Sequence, residues 1–265
     1  TEDLDPYSRY LGRNPDARQS LAAAALLPED LAGDPGPEVV QLRDWAQQLA
    51  EVGDVIARSD LMVRWPTKSP DRMAKTETVT LSQLLGRYGY GLEPDVRFGG
   101  PAITPATPVV VFRTGPQPPQ SATPAYAAAA TLVHLATAVS AADGHVSPGE
   151  QDHLVAHLET ALELSPGERA RLEAHMRWLV ANGVKLTGLK KRVEVLTVPQ
   201  REGIGDLLVA VAAADGVISP EEITSLTKIY QLLDLDPGQV HSRLHAHLTG
   251  ARPTPATQPV TVRPG

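Results

Sequence analysis

Ala141-Ala142-Asp143-Gly144-His145-Val146-Ser147-Pro148-Gly149-Glu150 returns 72 residues later as Ala213-Ala214-Asp215-Gly216-Val217-Ile218-Ser219-Pro220-Glu221-Glu222. Upstream, Leu132, Leu135 and Val139 align with Ile204, Leu207 and Val211, apolar positions at helical spacing. Downstream, Leu162-Glu163-Leu164-Ser165-Pro166-Gly167 aligns with Leu233-Asp234-Leu235-Asp236-Pro237-Gly238 after the deletion of one residue. A unit of helix, acidic turn, helix, short loop and helix therefore occurs twice. Two such units bury against each other the faces that neither buries alone, so the repeat predicts a pseudo-twofold pair.

The helix starts are written in the same stretch. In Ser147-Pro148-Gly149-Glu150 the serine caps, the proline takes the first helical position and the glutamate reaches back. Ser219-Pro220-Glu221-Glu222 repeats the signature, and Ser165-Pro166-Gly167-Glu168 and Asp236-Pro237-Gly238-Gln239 open two later helices in the same way. Leu154, Leu158 and Leu162 line one helix, and Ile223, Leu226, Tyr230 and Leu233 line another. With a short helix after Thr187 and one after Pro199, the domain has about seven helices. Period-two alternation is absent from it, so the expectation is an all-helical domain.

Prolines set its limits. Residues 114–124 hold Pro116, Pro118, Pro119 and Pro124 and almost no large apolar side chain, the composition of an extended linker. Residues 250–265 form a second proline-rich stretch, expected as a tail. Between them, residues 125–249 span about 125 positions, the usual size of one domain. The front segment, residues 1–113, reads as a small α+β region. Pro37–Glu51 is an amphipathic helix, Asp16–Leu27 an alanine-rich one, and Thr80-Leu81-Ser82-Gln83 starts a third with a capping box. Leu61–Trp65 and Pro108–Arg113 read as short strands. The fold class is mainly α.

Composition excludes several functions. The 24 Lys and Arg against 31 Asp and Glu leave a net charge of −7, which argues against a nonspecific nucleic-acid binder. Zero cysteines exclude disulfides, thiolate metal sites, iron–sulfur clusters and a cysteine nucleophile. No apolar run approaches the roughly 18 residues of a membrane span, and no signal-peptide pattern is present. Aromatic residues are 4%, so aliphatic side chains build the core. There is no G-x-S-x-G, Walker A or G-x-G-x-x-G motif, and nothing points to catalysis. Glu93 and Asp95 flank Pro94 in a Gly-rich turn, but no adjacent His, Ser or Lys motif supports acid–base chemistry there.

The repeated A-A-D-G-x-[VI]-S-P-x-E unit resembles the TerB (tellurite-resistance) domain family. Tyr88-Gly89-Tyr90-Gly91-Leu92-Glu93-Pro94-Asp95-Val96-Arg97-Phe98-Gly99-Gly100, followed by Val109-Val110-Val111-Phe112-Arg113, is similar to the N-terminal extension (TerB-N) of larger TerB-family proteins. Those proteins carry a further C-terminal region, so the resemblance implies that the 265 residues are part of a longer chain, and the opening Thr1 in place of Met is read as a native start lying further upstream. It implies an all-helical, non-enzymatic bacterial chemical-stress protein tied to tellurite resistance, phage defence and membrane-associated complexes. The location implied is the cytoplasm, peripheral at the inner membrane face, with protein partners in a stress-response complex and without direct nucleic-acid binding.

The resemblance also implies that the acidic turns bind a divalent metal ion, Ca²⁺ or another hard cation. Carried onto this sequence, the candidate ligands are Asp143 and Glu150 in one turn and Asp215 and Glu222 in the other. Hard divalent cations take several oxygens, and two symmetric turns would supply four carboxylates with turn carbonyls beside them. The pattern is not an EF-hand, because Gly follows the first Asp directly. A structural reading stands beside this one. If Glu150 and Glu222 close capping boxes they are already occupied, and Asp-Gly is an ordinary helix-ending turn. The domain would then be an interaction scaffold whose acidic residues are caps. His153 with His157, and His241 with His245, have zinc-chelating spacing, but neither pair recurs in the other repeat, and Val217 replaces His145. Lys185, Lys190, Lys191 and Arg192 form a basic cluster of the kind usually found on a solvated face.

Overall fold

Helix α1 (Asp5–Arg13) and α2 (Leu21–Leu26) begin the chain, separated by a 3₁₀ turn at Pro15–Ala17. The computed structural model describes residues 4–18, 20–28, 31, 34–53, 55–65, 73–104, 106–115, 118–143, 154, 164–194, 196–214 and 216–249. They fall into two compact units: Thr1–His134 with Leu158–Val184, and Leu135–His157 with Lys185–Gly265.

The first unit continues through α3 (Pro37–Val52), β1 (Val55–Ala57), α4 (Arg58–Arg64), α5 (Lys75–Arg87), β2 (Tyr90–Glu93) and β3 (Pro108–Arg113). It also takes the start of α6 (Pro124–Ser140) and all of α7 (Pro166–Asn182). The strands form one antiparallel sheet in the order β1-β3-β2, with Ile56 opposite Val109 and Gly91 opposite Phe112. Central β3 is buried from Val109 to Phe112 because both its faces are covered. Val109 and Val111 join the core that holds Val39, Leu42 and Trp45 of α3 and Leu81, Leu84 and Leu85 of α5. Phe112 lies under α7, where the Arg171 guanidinium sits 5.2 Å from its ring centre.

The strand expected at Pro108–Arg113 is present, but Leu61–Trp65 is not a strand. Arg58–Arg64 is helical, with Leu61 and Trp65 buried four residues apart and Val63 78% exposed between them. A strand would have put all three on one face. The partner of β3 on that side is instead the short segment Val55–Ala57. Helix α5 begins earlier than expected, at Lys75. There the Glu77 carboxylate accepts the Ala74 N–H at 2.8 Å, which leaves Thr80–Gln83 inside the helix. The helix expected over Asp16–Leu27 is broken at Ser20, whose hydroxyl accepts the Ala23 N–H and starts α2.

Described residues of 114–123 are irregular and tied within the first unit, and Pro124 already begins α6. The Thr114 N–H donates to Gly89 O at 2.8 Å, Arg97 donates to the Gln120 side chain, and Thr123 caps α6 by accepting the Tyr126 N–H. The units therefore do not part at that stretch, and α7 belongs with the sheet because the sheet is what covers its buried face.

The second unit holds the end of α6, a 3₁₀ turn at Ala141–Asp143, α8 (Lys190–Val193), α9 (Val198–Ala212), α10 (Pro220–Leu232) and α11 (Gln239–Leu248). As the repeat predicts, α6 and α9 end 72 residues apart, at Ser140 and Ala212. Helix α10 opens with the capping box expected at Ser219 and α9 with one at Thr197. In α11 the Asp236 carboxylate instead accepts the Gly238 N–H two residues on, and the helix starts only at Gln239. Leu207, Leu208, Val211, Leu226, Ile229, Tyr230, Val240 and Leu244 form the buried faces of these helices. The helix expected from Ser147 lies outside the described residues except at Leu154, which is helical and buried. Residues 250–265 lie outside them altogether.

Candidate functional site

The acidic turns are positioned by helix ends. Asp143 closes the 3₁₀ turn Ala141–Asp143 after α6, and that turn packs on α10. One turn further into α10, the Ser225 hydroxyl donates to Ala138 O of α6 at 2.8 Å, which fixes the two elements side by side. Glu222 is the third residue of α10 and is buried. Its Oε2 accepts the Ser219 N–H at 2.7 Å, and its own N–H donates to the Ser219 hydroxyl at 3.1 Å. The capping role foreseen for Glu222 is thus filled. Gly216 adopts φ +78° and donates its N–H to Ala213 O, so the turn after α9 uses glycine's left-handed freedom.

Glu150 and Asp215 lie outside the described residues, as do His145, His153 and His157. Among the described residues no group of three or more His, Asp or Glu has metal-holding geometry. His241 and His245 are exposed on α11, and Lys185, Lys190, Lys191 and Arg192 are exposed around α8, with Lys190 4.0 Å from Glu194. These fit solvated faces.

Glu93 and Asp95 have no partner motif beside them in the sequence, and tertiary structure supplies their partners. Both carboxylates are buried, at 1% and 0% exposure, facing the equally buried Arg171 of α7. Arg171 Nη1 donates to Glu93 Oε1 at 2.7 Å and to Leu92 O at 3.1 Å, and Nη2 is 3.5 Å from Asp95 Oδ2. The guanidinium lies 3.8 Å over the Phe98 ring. Arg97 closes the other side of Asp95 with Nη2 at 2.7 Å and its backbone N–H at 2.9 Å. His175, one turn beyond Arg171, places Nδ1 3.2 Å from Glu93 Oε2 and stacks on Trp178. Trp178 donates Nε1–H to Pro108 O at 3.0 Å.

Two carboxylates and two guanidiniums balance, so the cluster is charge-neutral without counting His175. Burial, and then the Glu93 charge, push the neighbouring Tyr126 hydroxyl far above its ordinary range. Acid–base catalysis needs a carboxylate that reaches substrate. These two are sealed against an arginine, an arrangement that pins the β2 turn to α7. Its signal in the sequence is faint: Glu168, Arg171, His175 and Trp178 recur at helical spacing, so the stripe of α7 turned to the sheet is polar and aromatic rather than aliphatic.

Near this cluster the Glu168 carboxylate closes the α7 capping box with Ser165 and accepts the Thr123 hydroxyl at 2.6 Å. Burial works to raise it, and the hydrogen bonds from Thr123 and Ser165 outweigh that and hold it below the usual glutamate range.

Residues 125–244 match the family model described as tellurite resistance protein TerB. No curated protein and no solved structure matches the chain.

Proposed function

We propose that the chain, whose residues 125–244 match the TerB family model, is a non-enzymatic divalent-cation-binding module of a tellurite- and chemical-stress-response protein. Asp143, Glu150, Asp215 and Glu222 are its ligands. One observation carries the reading: the turn that ends in Asp143 packs on the helix whose first turn holds Glu222. The donors are hard oxygens, the chemistry Ca²⁺ selects. A carboxylate offers about four acceptor positions, so a capping bond and a cation can share one. Neutralising these charges would tighten the turns and stiffen the helix ends that carry them. The partners are proteins of a stress-response complex at the cytoplasmic face of the membrane. No described helix is long and apolar enough to cross one.

Calorimetric titration of chelator-treated protein with Ca²⁺, then Mn²⁺ and Zn²⁺, tests this. Saturable binding with a raised melting temperature is expected, abolished by Asp143→Asn combined with Asp215→Asn. Absence of heat and of any melting shift would overturn it.

The closed capping box at Glu222 favours a second reading, an interaction scaffold in which the acidic turns only cap helices. In that case Glu222→Ala lowers stability by about 1 kcal/mol, and metal titration gives no signal.

A further inference from the structure

We propose that the first unit binds a small organic anion, one negative group on an apolar or aromatic body, in the cleft between α2, α3 and α5. The cleft has a volume of about 430 Å³ and draws its walls from α1, α2, the start of α3 and the end of α5. That is within the usual range for small-molecule sites. Its floor is apolar, with Leu84 and Val39 buried beneath it. Tyr7 and Tyr88 line it as the aromatic side chains available to a flat ligand.

The charge inside is what selects an anion. Arg87 and Arg18 both line the cleft. Arg87 is held in place by its own hydrogen bonds, Nη1 to Ala24 O and Nη2 to Ala25 O, each at 2.8 Å. Those carbonyls belong to the end of α2, so they orient the guanidinium fork without neutralising its charge. Among the described residues, neither Arg87 nor Arg18 has a carboxylate at ion-pair distance. A guanidinium fixed beside an apolar floor is the arrangement that recognises a carboxylate or sulfonate.

Asp34 refines the ligand. It is exposed and lines the same cleft, so a second negative group on the ligand would meet it. Monoanions are therefore preferred over dianions.

The test uses the full chain and 8-anilinonaphthalene-1-sulfonate, a fluorescent aromatic monoanion, beside its uncharged analogue N-phenyl-1-naphthylamine. The sulfonate is expected to bind saturably at one site, at least about tenfold tighter than the neutral analogue, the size of effect one charge-assisted contact gives. Arg87→Gln also removes the cap on α2 and can perturb folding. The deciding variant is Arg18→Glu, at an exposed side chain with no hydrogen bond in the described structure. It is expected to weaken the sulfonate about tenfold or more while the melting temperature stays at the wild-type value. Non-saturable binding, equal affinity for the neutral analogue, or an Arg18→Glu variant that binds as wild type would each overturn the proposal.

Discussion

Arg171 shows how one side chain can be tolerated at 1% exposure in a core. Desolvating an isolated guanidinium is prohibitive, and a buried pair offsets that cost only when hydrogen bonds complete it. Here Glu93, the Leu92 carbonyl, Asp95 and the Phe98 face surround the charge, and Nε alone of its nitrogens finds no acceptor among the described residues. Glu168 presents the related problem in a titratable form. Its carboxyl sits below the ordinary value of 4.5, so its share of stability is complete above that value and is lost as pH falls through the lower folded value. Removing the Thr123 hydroxyl with Thr123→Val is expected to destabilise the protein at neutral pH by about 1 to 3 kcal/mol. The difference from wild type should shrink as pH falls below 4.5. Urea denaturation of both proteins across that range checks it, and a pH-independent difference would contradict the assigned cause.

Among the elements, β3 is the one on which others depend. It is central in the sheet, covered by α3 on one face and α7 on the other, which is why Val109 to Phe112 runs without polar alternation. Close approach across the ladder requires Gly91. A Cβ there would overlap the Phe112 ring, which faces it in register. Gly91→Ala is expected to cost at least about 2 kcal/mol by forcing the ring aside. Because Phe112 lies under Arg171, chemical shifts of the Arg171 side chain should move with it, and an NMR comparison reads both effects. In the second unit, α10 and α11 pack on α9, where Gly205 leaves room for Tyr230 and Leu235. Burial there pushes the Tyr230 hydroxyl up to about 12.

At the scale of the whole molecule, the family-matched region and the compact units are not the same partition. Helix α7 lies inside residues 125–244, yet its buried face is filled by β2 and β3 of the first unit. A fragment of residues 125–249 is therefore expected to melt below the full chain, with Trp178 exposed by the loss of its partner Pro108. Trp178 is the sole tryptophan in that fragment, so its emission maximum reports the change directly. A fragment with the full chain's melting temperature and a buried emission would show that α7 finds another cover.

What the sequence alone determined is what a few neighbouring residues decide. The Ser165 and Ser219 helix starts, the paired helix ends at Ser140 and Ala212, and the Pro108–Arg113 strand were all legible. Each rests on bonds or periodicity within one or two turns. The Glu222 cap was legible as one of two roles for the same reason. Tertiary structure decided the rest. Helix or strand at Leu61–Trp65 turned on which side chains found cover, and a five-residue stretch that is apolar apart from Arg64 is too short to fix its period. Glu93 became part of an ion cluster because the fold set it against Arg171, 78 residues away, and no local spacing encodes such a meeting. The cleft that holds Arg18 and Arg87 exists only where α2, α3 and α5 converge. Charge and burial act through space, and the chain's order along the backbone does not reveal which groups will share it.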